Sequence, residues 1–306
     1  LNEPHIPVLI EEISSFFEST RLTTFVDGTL GAGGHAEMIL KTHPEIHHFF
    51  AFDQDPEALE IGKKRLAPWE GKVHFIHDNF AHFQRYVPSF DGMLLDLGVS
   101  SMQLDRAEKG FSFSKEGPLD MRMNSSQSLT AKQICNTWSQ EALEKIFRDY
   151  GEEKRYRKAA FAICKARERE PIETTLQLKK ILEPYLYDKK KAINPVTLVF
   201  QALRIAVNNE LEVIKTVLPN ALERLNPKGR LAIITFHSLE DRLVKQAFRQ
   251  AASDKVDTRG LSGVFLEKEP LVIDLLKRPV SAKESEIERN PRSRSAKLRG
   301  VEKLVV

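Results

Sequence analysis

Four carboxylates, Asp27, Asp53, Asp78 and Asp96, each close a short apolar run. The runs are Thr24-Phe25-Val26, His48-Phe49-Phe50-Ala51-Phe52, Val73-His74-Phe75-Ile76-His77 and Phe90-Asp91-Gly92-Met93-Leu94-Leu95. An acid in that position can accept hydrogen bonds from a ribose diol, an ammonium group or the polar edge of a base. After the first acid comes Gly28-Thr29-Leu30-Gly31-Ala32-Gly33-Gly34-His35. Glycines there let the backbone turn sharply and approach a ligand without interference from a Cβ. A helix opening behind them aims unpaired N–H groups at that ligand. Strand, acid, glycines and helix in this order make a nucleotide loop.

The loop alone does not choose its nucleotide. Gly31 to Ala36 fits G-x-G-x-x-G/A, and Asp53 stands about 20 residues further on, where Rossmann-like sites grip a ribose. NAD, FAD and S-adenosylmethionine all carry such a ribose. Four apolar runs separated by helix-like stretches predict a parallel α/β sheet, with the ligand outside the carboxyl ends of its strands. Asp53, Asp78, Phe80 and Asp96 would then ring one site. Phe80 reads equally as a face for adenine and as a core aromatic.

After Asp96 the strand pattern stops for about a hundred residues. Apolar positions recur at three and four residues through Leu129–Ile134 and Gln140–Phe147, which predicts helices. Pro195 ends that block, and one long helix is expected through Phe200, Leu203, Ile205, Leu211 and Ile214. Asn226-Pro227-Lys228-Gly229 reads as a turn and Arg230 to Phe236 as a fifth buried strand. The tail from Val264 to Val306 is expected to supply the last two strands. The expected organisation is a discontinuous domain, 1–104 with 196–306, carrying an all-helical insertion at 105–195.

Composition sets the class. The chain has 306 residues, 41% hydrophobic and 29% charged, which describes a globular protein. No apolar run approaches the roughly 18 residues of a membrane span. The first residues, Leu1 to His5, lack the character of a signal or transit peptide. Cys135 and Cys164 form no metal or redox spacing, so a reducing, cytoplasmic setting is expected. The net charge of +3 decides little; its distribution says more. Lys154-Arg155-Tyr156-Arg157-Lys158 continues through Lys165, Arg167 and Arg169, but Glu152, Glu153, Glu168 and Glu170 accompany it, so a solvated helix face is the first reading. Pro291-Arg292-Ser293-Arg294-Ser295 makes poor core and good phosphate donors, so Arg292 and Arg294 are read as RNA or substrate-site contacts.

Longer motifs carry a resemblance. They include Asp27 to His35, Asp53-Gln54-Asp55-Pro56, Leu95-Asp96-Leu97-Gly98-Val99-Ser100-Ser101, Gly117-Pro118-Leu119-Asp120-Met121-Arg122-Met123, Phe236-His237-Ser238-Leu239-Glu240-Asp241-Arg242 and Asn290-Pro291-Arg292-Ser293-Arg294-Ser295. Together with His5-Ile6-Pro7-Val8 they run from end to end of the chain. The chain resembles the bacterial-type methyltransferases that modify N4 of a cytidine in small-subunit (16S) ribosomal RNA. The resemblance implies a Rossmann-like class I methyltransferase sheet of α/β class and S-adenosyl-L-methionine as cofactor. It places cofactor contacts at Gly33, Gly34, His35, Asp53, Phe80, Asp96 and Gln103. It implies small-subunit ribosomal RNA or the assembled small subunit as partner, with no membrane and with a homodimer left open.

Transfer to an exocyclic cytosine amine needs orientation, because the amine lone pair is delocalised into the ring. The donor methyl is already activated by its positive sulfur, so no metal is expected. The acid/Asn/Ser-Pro-Pro-aromatic tetrapeptide usual for amino-directed methyltransferases is absent after strand four. Candidates for the catalytic groups are therefore Asp120, Arg122 and His237. Two rivals remain: an NAD-dependent oxidoreductase on the same loop, and a non-catalytic RNA-binding ribosome-assembly factor. The first leaves the Asp120–Arg122 and Arg292–Arg294 segments unexplained. The second would be expected to have lost the glycines or Asp53, and both are present.

Overall fold

The computed structural model describes residues 7–186, 194–256 and 266–305. His5, Ile6 and the start of the tail at Val264 lie outside them. The chain divides into two compact units, Leu1–Gly98 with Leu211–Val306, and Val99–Glu210.

The first unit opens with α1 (Ile10–Phe17), β1 (Thr24–Asp27), α2 (Gly34–Thr42), β2 (His48–Asp53), α3 (Pro56–Arg65), β3 (Val73–His77) and β4 (Phe90–Asp96). The second unit holds α4 (Ser101–Asp105), α5 (Ala131–Thr137), α6 (Gln140–Asp149), α7 (Tyr156–Arg167), α8 (Thr175–Leu186) and α9 (Pro195–Asn208). There follow α10 (Glu210–Arg224), β5 (Leu225–Thr235), α11 (Ser238–Ala251), β6 (Lys255–Val256), β7 (Leu266–Glu267), β8 (Val272–Asp274), β9 (Val280–Ser281), α12 (Glu284–Arg289) and β10 (Lys297–Lys303).

The sheet runs β3-β2-β1-β4-β5-β10-β8, with β9 also paired to β10. Strands β1 to β5 are parallel, and β10 runs antiparallel between β5 and β8. Parallel strands buried on both faces read as near-continuous apolar runs, which is why β4 could be seen in sequence. Its side chains alternate: Leu94 joins Phe25, Ile13, Ile39 and Leu59 on one face, while Met93 and Leu95 join Val26, Ile214, Val217 and Phe248 on the other. The chain leaves β1 for β2 on one side and reaches β4 on the other. That reversal opens a crevice at the carboxyl ends of β1 and β4, where α/β sheets bind ligands.

The second unit has its own core, built from Ile134, Phe147, Ile163, Leu182 and Leu203 on α5 to α9. It is wider at both ends than 105–195, because α4 begins just after β4 and α9 belongs to this core. The single long helix expected from Phe200 to Ile214 is two helices. Asn209 sits at φ 52, a left-handed conformation that ends α9 and reorients the chain into α10. The expected turn at Asn226–Gly229 lies inside the eleven-residue β5; Lys228 at φ 63 and a register shift opposite Phe90/Gly92 accommodate it as a bulge. No helix among the described residues is long and apolar enough to cross a membrane.

Candidate active site

The first unit gathers three acids at the crevice. Asp27 ends β1 almost fully buried, and its Oδ1 accepts the Thr29 N–H at 3.0 Å. Asp53 ends β2; its Oδ2 accepts the Gly31 N–H at 2.8 Å and its Oδ1 accepts the Asp55 N–H at 2.9 Å. Asp96 ends β4, and its own N–H donates to Thr29 Oγ1 at 2.7 Å. Thr29 thus ties the loop to two strand ends. Gly33 at φ 76 caps α2, a conformation that favours glycine. A Cβ on Gly28 would overlap the Leu95 side chain and press on Phe80.

Burial pushes all three carboxyls up, and their neighbours push further. Asp53 rises to about 6, with Asp55 adding repulsion. Asp27 rises to about 7 through burial and the Asp53 charge. Asp96 rises to about 8 through burial, then Asp27, then Glu240. The Asp96 side chain keeps 24% exposure, yet its Oδ1 is enclosed and takes no hydrogen bond from the described residues. An enclosed acceptor without a donor is expensive unless a ligand completes it. Mutually repelling acids beside a glycine loop suit a ligand that bears hydroxyls and positive charge. S-adenosylmethionine, with a ribose, an ammonium and a sulfonium, meets that requirement.

His35, in the first turn of α2, is buried. Its Nε2 contacts the Val8 carbonyl at 2.8 Å and its Nδ1 lies 3.7 Å from Asp96 Oδ2. Since a carbonyl only accepts, Nε2 carries the hydrogen. Gly34 is packed under Pro7, so the first turn of α2 is held from outside. Phe80 opens a 3-10 turn (Phe80–Arg85) and is 9% exposed, within the core cluster of Val26, Leu95 and Phe83. Asp78 does not present a spare carboxylate to the ring of acids. It accepts from the Asn79 N–H, pairs with His82 Nδ1 at 2.8 Å and accepts from Tyr86 Oη at 3.1 Å; its pKa stays lowered despite burial, held down by those partners.

His237 caps α11. Its Nδ1 accepts the Glu240 N–H at 3.4 Å while Glu240 Oε2 accepts the Phe236 N–H at 2.8 Å, and His237 Nε2 lies 3.1 Å from Glu240 Oε1. Lys297 of β10 pairs with Thr235, so the 3-10 turn (Pro291–Ser295) that precedes β10 emerges at the carboxyl end of β5. Arg292 and Arg294 are exposed on that turn, and Ser293 is buried beneath them.

The second unit holds the remaining candidates. Gln103 Oε1 accepts the Ser100 N–H at 3.1 Å and Ser100 Oγ accepts the Gln103 N–H at 3.2 Å, a capping box on α4. Arg122 forks onto both Asp120 oxygens at 2.8 Å and donates to the Ser125 and Gln127 carbonyls. The guanidinium holds Asp120 below the usual carboxylate range despite partial burial. Met121 between them has φ 64, and Asn208 clamps the strained turn by donating to Met121 O and accepting from Met123 N–H.

A family model described as the MraW methylase family matches residues 2–304. The chain belongs to the MraW methylase family. Among curated relatives, a ribosomal RNA small subunit methyltransferase H of Protochlamydia amoebophila is 53% identical, with 98% of each chain covered. The protein of the same name from Halothermothrix orenii is 42% identical, over 98% of this chain and 99% of that one. A solved rRNA methylase from Streptococcus thermophilus aligns at 12% identity and a TM-score of 0.45, over 98% of this chain and 99% of that one. As a member of the MraW methylase family, the chain is a methyltransferase with a Rossmann-like sheet, and S-adenosylmethionine is its cofactor.

The site residues expected from sequence did not include Asp27, Thr29 or Glu240. Asp27 was legible as the end of an apolar run. Its coupling to Asp96 depends on β1 lying beside β4, which the order of residues does not state.

Proposed function

We propose that this chain transfers the methyl group of S-adenosylmethionine to N4 of a cytidine in small-subunit ribosomal RNA. The observation that carries the reading is Asp96 Oδ1, an enclosed acceptor at the end of β4, beside the glycine loop, that has no hydrogen-bond partner among the described residues. The substrate class is supported by the names of relatives that are 42–53% identical over nearly the whole chain.

Bound S-adenosylmethionine supplies a methyl already made electrophilic by its positive sulfur. The chain's residues position and desolvate. Asp53, already fixed by Gly31 and Asp55, retains lone pairs for the ribose hydroxyls. The N-terminus of α2, which starts at Gly34, presents its dipole to the ligand, while the Gly33 N–H is already donated to the Leu30 carbonyl at 2.8 Å and holds the turn. Phe80 and Gly28 form the floor. Asp96 accepts a hydrogen of the target amine, which orients the nitrogen lone pair and stabilises charge that grows on it during transfer. With a pKa of about 8, the same carboxyl is a competent acceptor for the proton that the product amine releases.

Asp96 is a better acceptor than Asp120. The Asp120 carboxylate is spent on a bidentate Arg122 and its lowered pKa makes it a weak base, so this pair is assigned to holding the strained Met121 turn. His237 is assigned to capping α11 and to facing Glu240. Arg292 and Arg294 are assigned to RNA phosphates, for which exposed guanidinium forks are suited. The target cytidine must leave its stack to present its amine.

The test is direct. Purified protein, labelled cofactor and small-subunit ribosomal RNA, offered as naked RNA and as assembled subunit, should give N4-methylcytidine on nucleoside mass spectrometry. Methylation at N3, C5 or ribose, or none on either substrate, rejects the assignment.

A further inference from the structure

The second unit carries a surface that its core does not explain. On α7, Arg157, Phe161 and Lys165 follow one another at four-residue spacing, so they share a face of the helix. At 1.5 Å rise per residue that face extends about 12 Å. Lys158 stands beside it, three residues before Phe161. Arg155 and Arg167 are engaged within the unit, donating to the Leu186 and Cys135 carbonyls. Arg157, Lys158 and Lys165 are exposed, Arg157 with 77% of its side chain in solvent.

Phe161 is the anomaly. It is 46% exposed, and among the described residues it is the one large apolar side chain of the second unit left so open. Its ring is flanked, with the Lys165 ammonium 5.8 Å from its centroid and the Tyr185 ring 6.3 Å away, edge-on. At the start of the helix, the guanidiniums of Arg148 and Arg157 lie 5.8 and 5.4 Å from the centroid of the Tyr156 ring. Acids accompany these cations without covering Lys158 or Lys165 in any ion pair among the described residues: Glu144 is 3.9 Å from Arg157 Nε, Asp149 pairs with Arg148 at 2.7 Å, Glu141 lies near Cys164, and Glu168 caps the far end of the helix. Exposed cations on either side of one open aromatic ring match what single-stranded nucleic acid requires, phosphates held by charge and a base held by stacking. A duplex keeps its bases stacked inward and has no use for the ring.

We infer that the outer face of α7 docks a single-stranded RNA segment, with a base stacked on Phe161 and phosphates held by Arg157, Lys158 and Lys165. The inference rests on the RNA-methylating reading above and adds an RNA contact on the second unit.

The experiment compares the full-length protein with Phe161→Ala, Phe161→Trp and a Lys158→Gln/Lys165→Gln double variant, using small-subunit ribosomal RNA as substrate. Phe161→Ala should raise the KM for RNA about tenfold, within the range that loss of one base–aromatic stack gives, with kcat within about twofold. Phe161→Trp should restore it. The double variant should flatten the log–log salt dependence by about 1.4 units, at about 0.7 per phosphate on a single strand. An unaltered KM in Phe161→Ala, or a loss that Phe161→Trp does not recover, overturns the inference while leaving the methyltransferase reading standing. Competition by polyglutamate as strong as by a single-stranded oligonucleotide of equal charge assigns the face to an acidic protein and also overturns it. Wild-type protein that methylates no RNA instead brings down the reading beneath.

Discussion

Asp53 Oδ2 accepts the backbone N–H of Gly31 at 2.8 Å, so the carboxylate that ends β2 holds the loop that follows β1. One side chain therefore shapes the loop and presents the remaining lone pairs to a ribose. Asp53→Ala should remove both contributions. Two charge-assisted hydrogen bonds to the ribose are worth roughly 2–4 kcal/mol, so cofactor affinity should fall at least about 30-fold. Calorimetry that finds the affinity within a factor of three of wild type places the ribose elsewhere.

The raised acids make cofactor binding a proton-releasing event. Asp27, Asp53 and Asp96 sit at about 7, 6 and 8, above the ordinary carboxyl value of 3.8. In the free protein near pH 6.5, Asp27 and Asp96 are mainly protonated; a cationic ligand favours the ionised forms and drives protons off. Affinity should therefore rise with pH between about 6 and 8. Calorimetry at pH 6.5 in phosphate and in Tris should give different apparent enthalpies, because the buffer takes up what the protein releases. Equal enthalpies in the two buffers would sink this expectation.

The same shifts fix the sign of a stability effect. A carboxyl whose folded pKa is raised binds more protons folded than unfolded, so its contribution to stability declines as pH rises from about 4 to about 8. Asp96→Asn removes that liability. At pH 8 the ligand-free variant should be more stable than wild type by about 1 kcal/mol or more, raising Tm by a few degrees, and the gain should vanish near pH 4. Methylation should fall about 100-fold, as expected when a positioned acceptor is lost. Melting curves across that pH range, with a turnover assay, check both halves; a variant less stable at pH 8 than at pH 4 relative to wild type reverses the argument.

Arg122→Ala should act on the second unit's stability. It leaves Asp120 half-buried without its bidentate partner and frees the turn at Met121, a loss of about 2 kcal/mol. Arg122→Lys should not restore it, since an ammonium cannot fork onto both oxygens while reaching two carbonyls. Urea unfolding gives the shift, and cofactor affinity should stay within about twofold. Unchanged unfolding midpoints in both variants would mean that the turn is held without the pair.

Replacing Arg292 and Arg294 together with Ala should weaken RNA binding and flatten its salt dependence by roughly one to two log–log units. Cofactor affinity should stay within about twofold, under ~0.5 kcal/mol. Binding isotherms from low to moderate salt that superimpose on wild type would remove these arginines from the phosphate clamp.

The strand ends were legible because each of the first four parallel strands is a compact apolar run closed by an acid, as at Phe90–Asp96. Helix caps were legible where a side chain announces them: Thr130 with Gln133 opens α5, and Ser100 with Gln103 opens α4 in the same pattern. That pattern could have assigned Gln103 a structural partner at once. Asn209 was hidden because a non-glycine residue takes the left-handed position, so the apolar period runs on through the break. The Asp27–Asp96 coupling and the Asp120–Arg122 fork were hidden for different reasons. The first is a product of sheet order. The second is a rotamer choice between neighbours that could equally have faced solvent.

The sheet is interrupted in sequence between its two central strands. β4 finds its partner β5 only after the whole of Val99–Glu210 has been made. At ribosomal rates of about 5–20 residues per second, that interval is on the order of ten seconds. Through it, the apolar edge of Met93, Leu94 and Leu95 stands without a neighbour, a template for pairing with another nascent chain. Early collapse of the helical unit would shorten the life of that edge only if it folds without waiting for β5. The separate core of the second unit gives it the means to do so. Variants that loosen that core should therefore lower soluble yield during synthesis more than they lower the melting temperature of the finished protein.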